Sequence, residues 1–450
     1  MPEFASGVPS TQTTGSGDEI PRRLNLLDAT MINVGTMIGS GVFLVPATIA
    51  LYVQSELLAI WVWVIGGIVS LFGAVSVAEL GSLLPRSGGQ YVYLKEAYGP
   101  LWGFLYGWAG FGVIISASIS AIAVGFATYL AYLLPMSAAE IRFVAILSIV
   151  FLTGMNCLGV KLGAQIQNGF TFLKIGALLG LVAICFVAAP SGADGIPISP
   201  IGLIHKVGPF GLALIAALWA YDGWIEITYV AGEVQQPHRN IPLSLIMSTA
   251  LVTGIYVLLT IAIQRVLPMN AIAQSPFVAA DAAESSLGAL GGTFVTLAVV
   301  VSTFGANNGI ILTGARIYQV MAREGLFFHP LSYIHPKYQT PIPSLIAQGI
   351  WASLLVLSGT YDQLITYVVF VSWIFYAMSG VAVIVLRKKS INSRPKYRTW
   401  GYPYTTMVFV GFSIALVVNT IVEAPFDSLI GFGIMFLGVP AFFYWQRHLK

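Results

Sequence analysis

Charge is what this chain has least of. Of its 450 residues only 9% are Asp, Glu, Lys or Arg, while 57% are hydrophobic. Soluble globular chains carry about 25% charged residues, so a soluble domain is excluded. Cysteine is nearly absent too. Cys157 and Cys185 are the only two, and both lie in apolar segments, which leaves neither a disulfide framework nor a thiolate metal site. The five histidines (His205, His238, His329, His335, His448) fall at segment ends, in loops or in the tail. No His/Asp cluster, HExxH helix or nucleophile–base pair occurs among the apolar segments. That argues against an enzyme and leads us to expect no metal and no cofactor. Alternation in segments of about ten residues is missing, which excludes a β-barrel. No repeated filter or ring of charges suggests a channel. The net charge of +3 follows membrane topology and is no sign of nucleic-acid binding. The first 20 residues lack an apolar core and read as a disordered cytoplasmic tail, not a signal peptide.

What is present is a series of long apolar runs, with mean hydropathy +0.84. Runs of about 20 apolar residues are membrane-spanning helices, so the expectation is an all-α integral membrane protein embedded in the lipid bilayer. Twelve spans are predicted: 28–52, 57–83, 99–134, 142–159, 163–189, 208–234, 241–267, 291–320, 341–358, 362–386, 404–422 and 427–446. Of the 21 lysines and arginines, only Arg142, Lys206 and Arg265 fall on the outer side if the N-terminus is inside, and Lys174 falls within the membrane. The positive-inside rule therefore places both termini in the cytoplasm.

Two spans are interrupted. Span 1 reads Ile32-Asn33-Val34-Gly35-Thr36-Met37-Ile38-Gly39-Ser40-Gly41-Val42-Phe43, and span 6 reads Leu218-Trp219-Ala220-Tyr221-Asp222-Gly223-Trp224. Non-helical backbone at membrane depth persists only where protein, water or a ligand satisfies it. Such breaks at matching places in two halves point to a transporter binding site. Five spans separate them, so the second unit is inverted relative to the first. The organisation read from this is a tail (1–24), a five-helix repeat (25–190), an inverted five-helix repeat (205–386) and helices 11 and 12 (400–447). The break chemistry suits an amino acid. Half-helix N-termini bind anions, so a carboxylate fits the Gly39-Ser40-Gly41 amides, with the Ser40 hydroxyl as a further donor. Carbonyls ending near Ile38 and near Trp219 and Ala220 suit an ammonium. The competing reading of Gly35 and Gly39 is small-residue helix packing; the paired break in span 6 favours the binding site.

These motifs resemble the L-type amino acid transporter family of the amino acid–polyamine–organocation superfamily. The resemblance spans about residues 24 to 445. It also rests on Ala78-Glu79-Leu80-Gly81, Pro85-Arg86-Ser87-Gly88-Gly89-Gln90-Tyr91, Asn156-Cys157, Gly159-Val160-Lys161, Ser302-Thr303-Phe304-Gly305, Asn308-Gly309 and Arg323-Glu324-Gly325. It implies a twelve-helix fold with unwound helices 1 and 6. It also implies sodium-independent amino acid exchange by alternating access. Gly39, Ser40 and Gly41 resemble the carboxylate site. Trp219, Ala220 and Gly223 resemble the ammonium-facing backbone, with Trp219 also as an aromatic lid. Eukaryotic members join a glycoprotein through a cysteine in the loop between helices 3 and 4. Here that loop, 134–141, has none, so a bacterial-type member of the cell membrane is expected, without a disulfide-linked heavy chain.

Lys174 is the sharpest single residue. It lies about 11 residues into span 5, roughly 17 Å deep at 1.5 Å per residue, and a charge there is functional by default. In relatives of this fold a sodium ion bridges helices 1 and 8 near that depth, and the lysine of the L-type family resembles a fixed stand-in for it. Its expected contacts are a carbonyl near Gly35 or Thr36, and Ser302 or Thr303. The alternatives are a structural tie or a proton-carrying lysine. Asp222 either favours the substrate ammonium or a cationic side chain, or caps the inner half-helix. Glu226 faces either Lys174 or a neighbouring helix. Tyr229 reaches Lys174, reaches the substrate, or simply packs. Asn307 is a candidate for the side-chain pocket, and Glu79 for capping or gating. The leading expectation is a sodium-independent exchanger of neutral L-amino acids. The runner-up is a proton-coupled symporter on the same fold, with Lys174, Asp222 or Glu226 titrating.

Overall fold

The computed structural model of the protein describes residues 21–188, 207–358, 361–389 and 396–448. The N-terminal tail up to residue 20 and the loop after span 5 lie outside the described residues. Among the described residues every predicted span is helical for most of its length. Ten helices among the described residues are long and apolar enough to cross a bilayer, a bent pair (Leu26–Met37 and Gly41–Val53) makes one more, and a shorter apolar helix covers Ile342–Leu357. Span 2 is Glu56–Leu83, span 4 Ala138–Cys157, span 5 Val160–Ala188, span 7 Pro237–Gln264, span 8 Ala289–Arg323 and span 10 Tyr361–Lys389. Spans 11 and 12 begin at Tyr404 and Pro425.

Local chemistry sets the starts. Asn25 and Asp28 form a reciprocal capping box at the head of span 1, and Ser137 and Glu140 form another at span 4. These satisfy N–H groups that the first helical turn leaves without partners. Span 3 is not a plain helix: Pro100–Ala109 passes into a π-helical turn at Gly110–Ile114 before Ile115–Leu133. Three features were not anticipated. The loop after span 2 holds a helix, Gln90–Tyr98, and two short helices, Met269–Gln274 and Val278–Leu287, link spans 7 and 8.

Spans 1 and 6 occupy the centre. Span 1 packs against spans 5, 6, 7 and 8, and span 6 packs against spans 1 and 2. Spans 2 and 7 pair with each other, as do spans 3 and 8.

Candidate functional site

The breaks fall where the glycines put them. The first half of span 1 ends at Met37, the second begins at Gly41, and the two are bent by 41°. Span 6 is helical to Tyr221 and then turns through 222–225 into a 3₁₀ helix, Glu226–Glu233, where an α-helical half was expected. Gly223 takes φ +103°, and a Cβ there would lie 2.9 Å from Thr36 Oγ1. Gly41 approaches span 6 even more closely, since a Cβ would sit 2.8 Å from Ala220 Cα. The two breaks are also tied by side chains. The Thr36 hydroxyl lies 3.2 Å from Gly223 O, and Asn33 Oδ1 accepts the Ile227 N–H at 2.9 Å. The Tyr256 hydroxyl of span 7 reaches both helix ends, Met37 O at 2.7 Å and Ala220 O at 3.0 Å.

Between the breaks lies a narrow cavity. Gly39, Ser40, Gly41, Trp219, Ala220, Asp222 and Gly223 all line it. Thr36, Glu226, Tyr229 and Tyr376 join them, and the span 3 wall is Ile114, Ile115, Ser118 and Ile122. The π-turn delivers Ile114 and Ile115 to that wall. Trp219 also lines a second cavity with Leu44, Val45, Ile365 and Glu423, so the two cavities share this residue. On the other side Tyr106 donates to Tyr229 at 2.7 Å, and Gln90 Nε2 donates to Ser379 at 2.9 Å. Further toward the basic face come Arg316–Glu233 at 3.0 Å and Arg387–Glu79 at 2.6 Å.

Lys174 is 1% exposed and, among the described residues, has no carboxylate partner. Its ammonium donates to Gly35 O at 2.7 Å, Ile38 O at 2.8 Å and Ser302 O at 3.0 Å. Ser302 Oγ donates to Ile38 O as well, at 3.1 Å. These three carbonyls around one buried ammonium join spans 1, 5 and 8.

The sequence places this geometry in a known group. The amino acid permease family pattern matches residues 24–443. The chain belongs to that family. The transporter is 31% identical to the serine/threonine exchanger SteT of Bacillus subtilis (strain 168) over 427 residues, 94% of this chain and 97% of that protein. It is 33% identical to the b(0,+)-type amino acid transporter 1 of Mus musculus over 417 residues, 91% of this chain and 83% of the mouse protein. It is also 33% identical to the large neutral amino acids transporter small subunit 2 of Homo sapiens over 460 residues, 98% and 84% of the two chains. It is therefore a multi-pass amino acid transporter of the L-type group, and not an enzyme.

Two expected positions of the transporter, Ile38 and Asn307, lie off the cavity lining, and the alternatives left open for Thr303, Glu226 and Tyr229 resolve. Ile38 does not line the cavity, because its carbonyl is turned to Lys174 and Ser302. Asn307 is absent from the lining as well; its amide is buried and makes no hydrogen bond. Thr303 does not reach Lys174, because its hydroxyl bonds back to Val299 O and Val300 O in its own helix. Glu226 turns away from Lys174 and accepts from the Thr313 hydroxyl. Tyr229 lines the cavity but bonds Tyr106, not Lys174. Asp222 accepts from Tyr376 at 2.5 Å. Tyr256, Tyr376 and Thr313 were missed. A lone tyrosine or threonine in an apolar run reads as packing, and no short-range pattern sets them apart.

Proposed function

We propose that the transporter is a sodium-independent exchanger of neutral L-amino acids, working by alternating access. The observation that carries this reading is the Lys174 ammonium held by Gly35 O, Ile38 O and Ser302 O. A tethered cation at that junction removes the need for a soluble one and cannot leave to drive net uptake. The amides of Ser40 and Gly41 open the second half of span 1, so they carry the partial positive charge of a helix N-terminus and take the substrate carboxylate. The substrate ammonium faces the end of span 6. There the Ala220 carbonyl keeps a second lone pair after bonding Tyr256, and Asp222 adds negative charge. Trp219 covers the occupied site, and Gly35, Ser302 and Lys174 couple it to span 8. The cysteine-free loop 134–141 supports operation without a disulfide-linked heavy chain. The lysine and arginine distribution supports cytoplasmic termini.

The test uses purified protein in liposomes without sodium or a pH gradient. Labelled serine, threonine and leucine should enter vesicles loaded with neutral amino acid and not empty ones. Equal entry into both would overturn exchange. The second reading, a proton-coupled symporter, draws on two carboxyl side chains, Asp222 and Glu226, in a cavity lining without a basic residue. Under it, an imposed proton gradient fills empty vesicles, and Glu226→Gln abolishes that uptake. Under exchange, the variant keeps its counter-substrate requirement.

A further inference from the structure

A second groove opens on the basic face and shares no lining residue with the central cavity. One wall is the start of span 7, with Arg239, Pro242, Leu243 and Ile246; the other is Lys396 and Tyr397, ahead of span 11. Ser82, at the end of span 2, pins both walls. Its carbonyl accepts from His238 Nδ1 at 2.8 Å, and its hydroxyl accepts the Tyr397 N–H at 3.2 Å. The groove is therefore a built feature of three chain segments.

Among the described residues its charge is uncompensated. Carboxylates on this face already have partners: Glu79 with Arg387, Glu96 with Arg86, Glu233 with Arg316 and Glu324 with Lys95. Asp28 is held by the Asn25 N–H and by Asn168. Arg239 and Lys396 are exposed, and among the described residues neither makes an ion pair. Burial pushes the Tyr397 hydroxyl up to about 12, so it stands beside the two cations as a neutral group. From the groove an apolar track runs along span 7, from Leu243 and Ile246 to Met247 and Leu251, which are 49% and 43% exposed.

We propose that this groove holds the headgroup of an anionic phospholipid. Its phosphate lies against Arg239 and Lys396, and an acyl chain follows Leu243, Ile246 and Met247. Two cations at a membrane boundary with an apolar strip leading into the bilayer match that chemistry at both ends. The consequence reaches the transport machinery. Thr399, three residues after Lys396, donates its N–H and its hydroxyl to Glu79, each at 2.7 Å, so a lipid seated here braces the Glu79–Arg387 pair.

The test titrates phosphatidylglycerol, and phosphatidylcholine of the same chains, into the full-length protein in neutral detergent. Bound lipid is read by native mass spectrometry and the thermal midpoint is followed. Phosphatidylglycerol should bind and stabilise in preference. Replacing both cations (Arg239→Gln with Lys396→Gln) should weaken it about thirtyfold, from the contribution of each basic residue near an anionic surface. Arg398→Gln, at another exposed arginine that is outside the groove lining, should change it little. Equal binding of the two lipids by the wild type, or undiminished phosphatidylglycerol binding by the double variant, would overturn the site. An equal loss in Arg398→Gln would reduce it to diffuse surface charge, and displacement by inorganic phosphate would remove the lipid from it. If the double variant fails to fold, the wild-type comparison of the two lipids decides. Neutral amino acid exchange in phosphatidylcholine vesicles should persist in the double variant, which keeps this result separate from the exchange reading.

Discussion

Replacing Lys174 by alanine removes three hydrogen bonds to an ion at once. Charge-assisted bonds contribute about 1.5–3 kcal/mol each. Against their loss stands relief from holding an ammonium at membrane depth, about 3 kcal/mol on insertion scales. The carbonyls left behind are not equivalent. Ile38 O keeps the Ser302 hydroxyl at 3.1 Å. Gly35 O is orphaned, because the Gly39 N–H that would bond it in a continuous helix turns to Met37 O at 2.8 Å. An unsatisfied buried carbonyl costs about 1–3 kcal/mol. At the lower ends of these ranges the net loss is about 2.5 kcal/mol, or at least roughly fiftyfold in the population that holds spans 1 and 8 together. The initial rate of exchange in liposomes should fall by about ten- to a hundredfold, while the purified protein still elutes as a single species. Lys174→Met, which fills the same space without the charge, should behave like alanine. Exchange within twofold of wild type in either variant would refute the reasoning.

Three further substitutions probe the site and its closure. Gly41→Ala puts a methyl 2.8 Å from Ala220 Cα; overpacking of about 1–3 kcal/mol should wedge the breaks apart and weaken substrate binding at least fivefold by equilibrium binding. Tyr256→Phe takes the donor from Met37 O and Ala220 O and should cost about 1–2 kcal/mol, read as about a tenfold rise in the half-saturating substrate concentration. Glu79→Gln breaks a bidentate pair in which the glutamate is buried and Arg387 is 26% exposed. With part of the penalty screened, about 1–3 kcal/mol should appear as a thermal midpoint lower by several degrees.

Much of this was legible in the sequence because membrane depth leaves few options for polar atoms. An apolar run of bilayer length must be helical, so twelve spans could be counted. Glycines in the middle of two such runs had to mark breaks, and the breaks lie at 38–40 and 222–225. Lys174 had to find acceptors, and Gly35 and Ser302 supply two of them. The remainder turned on side-chain direction, which spacing alone does not set. Ile38 and Gly39 are neighbours, yet the Ile38 carbonyl points to Lys174 while Gly39 lines the cavity. Asn307 and Asn308 are adjacent on one helix, and only Asn308 joins the network, accepting from Asn156. The π-turn in span 3 shifts the register of everything after Gly110, and its Gly110 and Gly112 read equally well as packing residues.

The central claim is that Lys174 replaces a mobile driving cation, so substrate moves without one. A pH-sensitive dye trapped in sodium-free vesicles, read while labelled serine exchanges, tests this most directly. The account predicts brisk exchange with no change in internal pH. A pH change that grows in proportion to substrate entry, and disappears in Lys174→Ala or Glu226→Gln, would contradict it.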